Sequence, residues 1–160
     1  MKEFNLNDKD LEELMSMKIM GLEGEALELR ELVSKGPVVF NFVVGTWSPL
    51  CLNHIKGLTE AMKSRNHTMV LVSSETTSKV DSEFGKSINW LSMNNLDLKY
   101  LSDSSRKMTS LFKLKIPAFG YSKPATFLIN KGSIFEISAG VPNISKAICT
   151  LSYYAKEVAA

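Results

Sequence analysis

Apolar positions along the chain alternate between two periods, and the switches mark out its elements. Residues 7–18, NDKDLEELMSMK, place Leu11, Leu14 and Met15 at helical spacing, with Asn7 as a capping residue. They predict a short helix, broken by Gly21 and Gly24. A short apolar segment holding Leu27, Leu29, Leu32 and Val33 runs into the turn signal Ser34-Lys35-Gly36-Pro37. Residues 38–44 are then continuously apolar except for Asn41, the pattern of a central strand buried on both faces. The period returns to helical after Cys51, where Leu50, Ile55, Leu58 and Met62 share one face. TMVLVS, residues 68–73, predicts a second buried strand, and Val80, Phe84, Ile88 and Leu91 a helix within 76–94. A strand over 96–101, a helix over 104–114 and a strand over 125–130 follow. Lys131-Gly132 is a tight turn, after which 134–138 pairs back antiparallel, and 143–158 is a terminal helix.

Alternation of buried strands with helices implies one α/β domain over residues 1–160. Its central sheet is expected to be mixed but mostly parallel, with helices on both faces and residues 1–19 as a helical N-terminal extension. A chain of 160 residues suits a single domain, and no repeat or linker divides it. The net charge of +2 and the lack of a basic run argue against nucleic acid as a partner. The mixed-charge N-terminus has no apolar core of a secretory signal, and no apolar stretch reaches membrane-spanning length. Two cysteines make no disulfide framework, so a reducing, cytoplasmic setting is the expectation.

The candidate chemistry lies in GTWSPLC, residues 45–51, where the first long strand gives way to a helix. In open α/β sheets, ligands and reactions gather at such junctions. Gly45 permits the turn, Ser48 can cap the helix, and Pro49 fits its first position, where the missing N–H costs nothing. Cys51 then falls in the first turn, whose unpaired N–H groups favour an anion. A thiol there ionises more readily, and the thiolate is the reactive form. The plainer alternative is that Cys51 is a small buried apolar residue. His54, three residues on, shares the same helix face but lacks a third ligand, so no metal site is expected. His67 reads as a loop residue. Cys149 lies among Ile144, Ile148 and Leu151 and reads first as core, with a resolving thiol for Cys51 as the other reading.

VVFNFVVGTWSPLCLNHIKGL resembles the active-site segment of the thioredoxin-like superfamily, and most closely its alkyl hydroperoxide reductase and thiol-specific antioxidant branch, the peroxiredoxin-like redoxins. That branch reads apolar strand, G-x-W-C-P-x-C, helix; Gly45, Trp47, Pro49 and Cys51 fit. KPATFLINKGSI, TMVLVSSE and LKYLSD resemble the later strands in the same order, so the likeness runs from about residue 20 to 140. It implies a thioredoxin-like fold and a thiol oxidoreductase with Cys51 as nucleophile. Thr46, Trp47, Pro49 and Pro124 would shape the pocket, and the bond between Lys123 and Pro124 would be cis and face the active-site helix.

Two family patterns overlap at Ser48. In the dithiol pattern this position is the first Cys, so a dithiol cycle confined to the segment is impossible here. In the peroxidase pattern a Thr or Ser stands three residues before the reactive Cys, as Ser48 does, and hydrogen-bonds thiolate and peroxide. That pattern also has a Pro where this chain has Val44, and an Arg near 125–130 where it has Lys123 and Pro124; the nearest upstream is Arg106. The resemblance therefore implies hydroperoxide reduction or disulfide exchange, with a thioredoxin-like or small-thiol reductant and room for a homodimer. It implies no bound cofactor, because sulfur chemistry needs none. The alternative is a redox-silent thioredoxin-fold module that binds a protein partner, and a third reading makes Ser48 a replaced cysteine.

Overall fold

The computed structural model describes residues 2–21, 25–43, 57, 67–74, 98–116 and 123–139. They form β1 (Lys2–Phe4), α1 (Asp8–Met15), β2 (Lys18–Gly21), β3 (Ala26–Glu28), α2 (Leu29–Lys35), β4 (Val38–Phe42), β5 (Thr68–Ser73), β6 (Leu98–Ser102), α3 (Lys107–Leu111), β7 (Ala125–Asn130) and β8 (Ser133–Ala139). The strands make one sheet in the order β1-β8-β7-β4-β5-β6-β2-β3.

The helix expected over 7–18 is α1. Asn7 Oδ1 accepts from the Asp10 N–H at 2.8 Å, and Asp8 and Asp10 complement the dipole in the first turn. It stops at Met15 because the next residues are claimed by non-local pairing. Lys18, Ile19 and Met20 lie opposite Glu28, Leu27 and Ala26 in a hairpin, and the Lys18 ammonium lies 3.5 Å from the Glu28 carboxylate. Gly21, read as a helix breaker, is the last residue of β2. A Cβ there would fall 1.7 Å from a Glu25 carboxylate oxygen, and that oxygen reaches the buried Lys99 ammonium at 3.6 Å. Arg30 on α2 ties the layers by pairing with Glu12 of α1 and Glu28, and Glu12 raises its already high pKa by hydrogen bond and charge.

β4 is buried at every position, as its apolar run predicts. It pairs parallel with β5 and antiparallel with β7. The expectation of a mostly parallel sheet is corrected here. Among the described residues, parallel pairing is confined to β4, β5 and β6, and the other pairings are antiparallel. A continuous apolar run reports burial on two faces, and that burial is the same whichever way a neighbour points. The segment 1–19, expected as a helical extension, is corrected too: besides α1 it gives two strands to the sheet, β1 on the edge of β8 with Phe4 opposite Ile134, and the start of β2. The tight turn at Lys131 and Gly132 has φ of 50° and 86°, the positive pair that a two-residue hairpin loop requires.

One sheet face, carrying Phe40, Phe42, Val70, Val72, Phe127 and Ile129, packs against Leu14, Leu29, Leu32 and Met108 from the three described helices. The other face, with Val39, Leu71 and Leu128, is buried as well. The helices expected after Cys51, within 76–94 and over 143–158 lie outside the described residues, apart from Gly57, which is helical. No described helix is long and apolar enough to cross a membrane.

Phe112, just past α3, is the hub of the core. Its ring lies 4.7 Å from Phe127 and 5.1 Å from Phe42, stacks on Phe4 at 5.3 Å and meets Phe40 at 6.2 Å. Aromatic pairs at such spacings add to the burial of their area. Phe112→Ala is expected to cost about 3–5 kcal/mol, seen as a lower urea midpoint at unchanged slope.

Candidate active site

The segment that carries most of the site candidates follows β4 in sequence. Val43 extends the pairing one residue past β4, its N–H donating to the Val72 carbonyl at 3.0 Å. Thr46, Trp47, Ser48, Pro49 and Cys51 follow in sequence and lie outside the described residues, as do Val44, His54 and Cys149.

Pro124 is among the described residues. It directly precedes β7, whose first residue Ala125 lies opposite Phe42, the last residue of β4. Antiparallel pairing therefore brings the start of β7 to the strand end from which GTWSPLC departs. The expected cis bond between Lys123 and Pro124 is not found, since no described peptide bond is cis. Trans is the intrinsically favoured isomer. Here the Lys123 N–H donates to the Leu114 carbonyl at 2.8 Å while Pro124 feeds the strand. His67 lies at the opposite end, immediately before β5, where the Thr68 N–H donates to the Pro37 carbonyl.

One residue into the sheet, Thr126 explains the polar interruption of β4. Its hydroxyl donates to Asn41 Oδ1 at 3.1 Å, and both side chains are buried. This pair gives the Thr of Pro-Ala-Thr-Phe a structural role beside the site.

Asp103 is the residue that the sequence reading missed. It follows β6 at the same end of the sheet, and its N–H donates to the Ser73 carbonyl of β5 at 2.6 Å. Its buried carboxylate accepts from the Met108 N–H at 2.9 Å, the Thr109 N–H at 2.8 Å and the Thr109 hydroxyl at 2.7 Å. One side chain thus satisfies two of the orphan N–H donors that open α3. The signal was present, an Asp between an apolar strand and a helical run. The helix was expected from residue 104, however, whereas the chain passes Arg106 at φ 63° and starts α3 at Lys107.

The sequence matches the model of the AhpC/TSA family over residues 3–137, from β1 into β8. No curated protein sequence gives a match. Among solved structures, the peroxidoxin BcpB of Mycobacterium tuberculosis superposes with a TM-score of 0.63 at 21% identity, over 86% of this chain and 92% of that one. A variant of Xylella fastidiosa PrxQ with serine in place of a cysteine gives 0.69 at 17% identity, over 97% of both chains. Enterococcus faecalis AhpC gives 0.66 at 16% identity, over 92% of this chain and 96% of that one. The fold is thus the thioredoxin-like α/β fold of peroxiredoxins. The chain belongs to the AhpC/TSA family and is, by class, a thiol-dependent oxidoreductase.

Asp103→Ala is expected to lower stability by at least about 2 kcal/mol, since each buried donor left unmade costs about 1–3 kcal/mol. Amide exchange should quicken at Met108 and Thr109. Unchanged exchange there would mean that α3 stands without this carboxylate.

Proposed function

We propose that this protein reduces hydroperoxides through Cys51, with an external thiol as reductant, in a reducing, cytoplasmic compartment. The observation that carries the reading is the family match over residues 3–137, which spans GTWSPLC and the later segments that resemble the same branch. The start of β7 beside the end of β4 supports it, because that pairing is the scaffold on which such a segment would face Pro124.

In this reading the Cys51 thiolate attacks one oxygen of the hydroperoxide. The O–O bond breaks, the leaving oxygen takes a proton to become an alcohol or water, and Cys51 becomes a sulfenic acid. A thiol of the reductant then condenses with it, releasing water and leaving a mixed disulfide. A second thiol frees Cys51 and carries the disulfide away. Placement near a helix start would keep Cys51 ionised, and the Ser48 hydroxyl would donate to the thiolate or to the peroxide oxygen. Disulfide exchange is the neighbouring activity of the same thiolate. The identities of Val44 and of Lys123 and Pro124, where the peroxidase pattern has Pro and Arg, favour the second reading, a redox-silent binding module.

Incubation with hydrogen peroxide and dithiothreitol separates these. Steady peroxide loss, abolished by Cys51→Ser, is the expected result. Ser48→Ala should slow it roughly 2- to 12-fold, the loss of a hydrogen bond worth about 0.5–1.5 kcal/mol. A single trapped adduct on Cys51 would instead mark Ser48 as the missing half of a dithiol. An unmodified Cys51 with no peroxide lost would leave the binding module.

The rate of alkylation by iodoacetamide against pH supplies a second check. Cys51 should react faster than Cys149, with a midpoint in the roughly 3.5–7.5 window of activated thiols. Equal rates, or a midpoint at the free-thiol value, would count against an activated site.

A further inference from the structure

Charge is divided unevenly along this chain. Its net charge is only +2, yet no acidic residue occurs between Asp103 and Glu136, while Arg106, Lys107, Lys113, Lys115, Lys123 and Lys131 do. Arg106 is half-buried at the turn that opens α3, and two more are accounted for elsewhere. Lys107 pairs with Glu13 of α1 at 2.5 Å, and Lys131 sits in the hairpin turn at the far end of β7. Lys113, Lys115 and Lys123 are all exposed, and none makes an ion pair among the described residues.

These three lysines belong to one surface. Phe112 and Leu114 are buried, so the loop alternates inward anchors with outward cations at Lys113 and Lys115. The Leu114 N–H donates to the Thr109 carbonyl at 2.9 Å, and its carbonyl accepts from the Lys123 N–H at 2.8 Å. That last bond sets Lys123 beside the other two, directly before Pro124 and the strand that flanks the end of β4. Like charges on neighbouring segments repel one another, and a surface of carboxylates would relieve that repulsion.

We infer that Lys113, Lys115 and Lys123 form the rim on which an acidic face of the protein dithiol reductant docks to regenerate Cys51. The inference rests on the hydroperoxide-reductase reading above. The cations are exposed and spread over two chain segments, which suits a broad partner surface; one small anionic peroxide would engage a single cation. Rim charges of this kind act on the association rate and its salt dependence. The rim meets the reductant before any sulfur chemistry. The dithiol's thiolate then attacks the Cys51 sulfenic acid, water leaves, and the partner's second thiol releases Cys51.

The potential at the thiol can be read with two disulfide probes on the full chain, with modified cysteines mapped by mass. One is anionic 5,5′-dithiobis(2-nitrobenzoate), the other neutral 4,4′-dithiodipyridine. In each, the Cys51 thiolate attacks one sulfur, the S–S bond breaks and the aryl thiolate leaves. The anionic-to-neutral rate ratio at about 20 mM salt should fall about tenfold in Lys113→Glu/Lys115→Glu/Lys123→Glu, within the range of electrostatic steering. It should be retained when the three become Arg. A ratio that ignores both salt and the glutamate variant overturns the inference. In parallel, a dye-labelled peptide with four glutamates flanking two alkylated cysteines should bind the full chain in a salt-sensitive, lysine-dependent way, and its lysine counterpart should not. If Cys51 reacts with neither probe, the enzymatic reading fails by itself, and the peptide result alone decides the rim. No binding, or equal binding of both peptides, overturns it.

Discussion

The double commitment of β4 is the constraint on which the rest depends. This strand is buried on both faces and hydrogen-bonded on both edges, parallel to β5 and antiparallel to β7. A strand so enclosed can bury its single polar side chain only with a partner in reach, and Thr126 supplies one to Asn41 across the β7 pairing. A slip of one residue would break that bond and turn the apolar set to the wrong face. The register in turn decides which residues meet where β4 ends. Phe42 faces Ala125, so the segment after β4 and the segment before β7 share one end of the sheet.

That end is stiffened from beneath. Phe112 joins the aromatic rings of β1, β4 and β7, and Asp103 ties the end of β5 to the start of α3. The loop that follows alternates the buried Phe112 and Leu114 with the exposed Lys113 and Lys115. Packing and surface charge are therefore two sides of one short stretch. The residues that fill the core are the ones that hold the cations in place.

The strands whose apolar runs are buried on both faces were legible in the sequence. The bounds expected for β5 and β7 are those found, and the turn at Lys131 and Gly132 follows from the backbone that these two residues must adopt. Asn7 announced α1. The hairpin of β2 and β3 and the edge strand β1 were not legible, because strands of three or four residues are too short to show a period. The role of Asp103 was missed by a few residues of helix boundary, and the cis bond expected before β7 is trans.

Local chemistry by itself determined the α/β class, the central strand, the position of GTWSPLC at a strand end and the candidacy of Cys51. These follow from side-chain period, capping preference and thiol chemistry, which are properties of neighbouring residues. Strand direction, sheet order, the nearness of Pro124 to the end of β4 and the gathering of Lys113, Lys115 and Lys123 were decided only in the tertiary structure. Burial is indifferent to strand direction, and a lysine eight residues away in sequence becomes a neighbour only when a backbone hydrogen bond closes the loop between them.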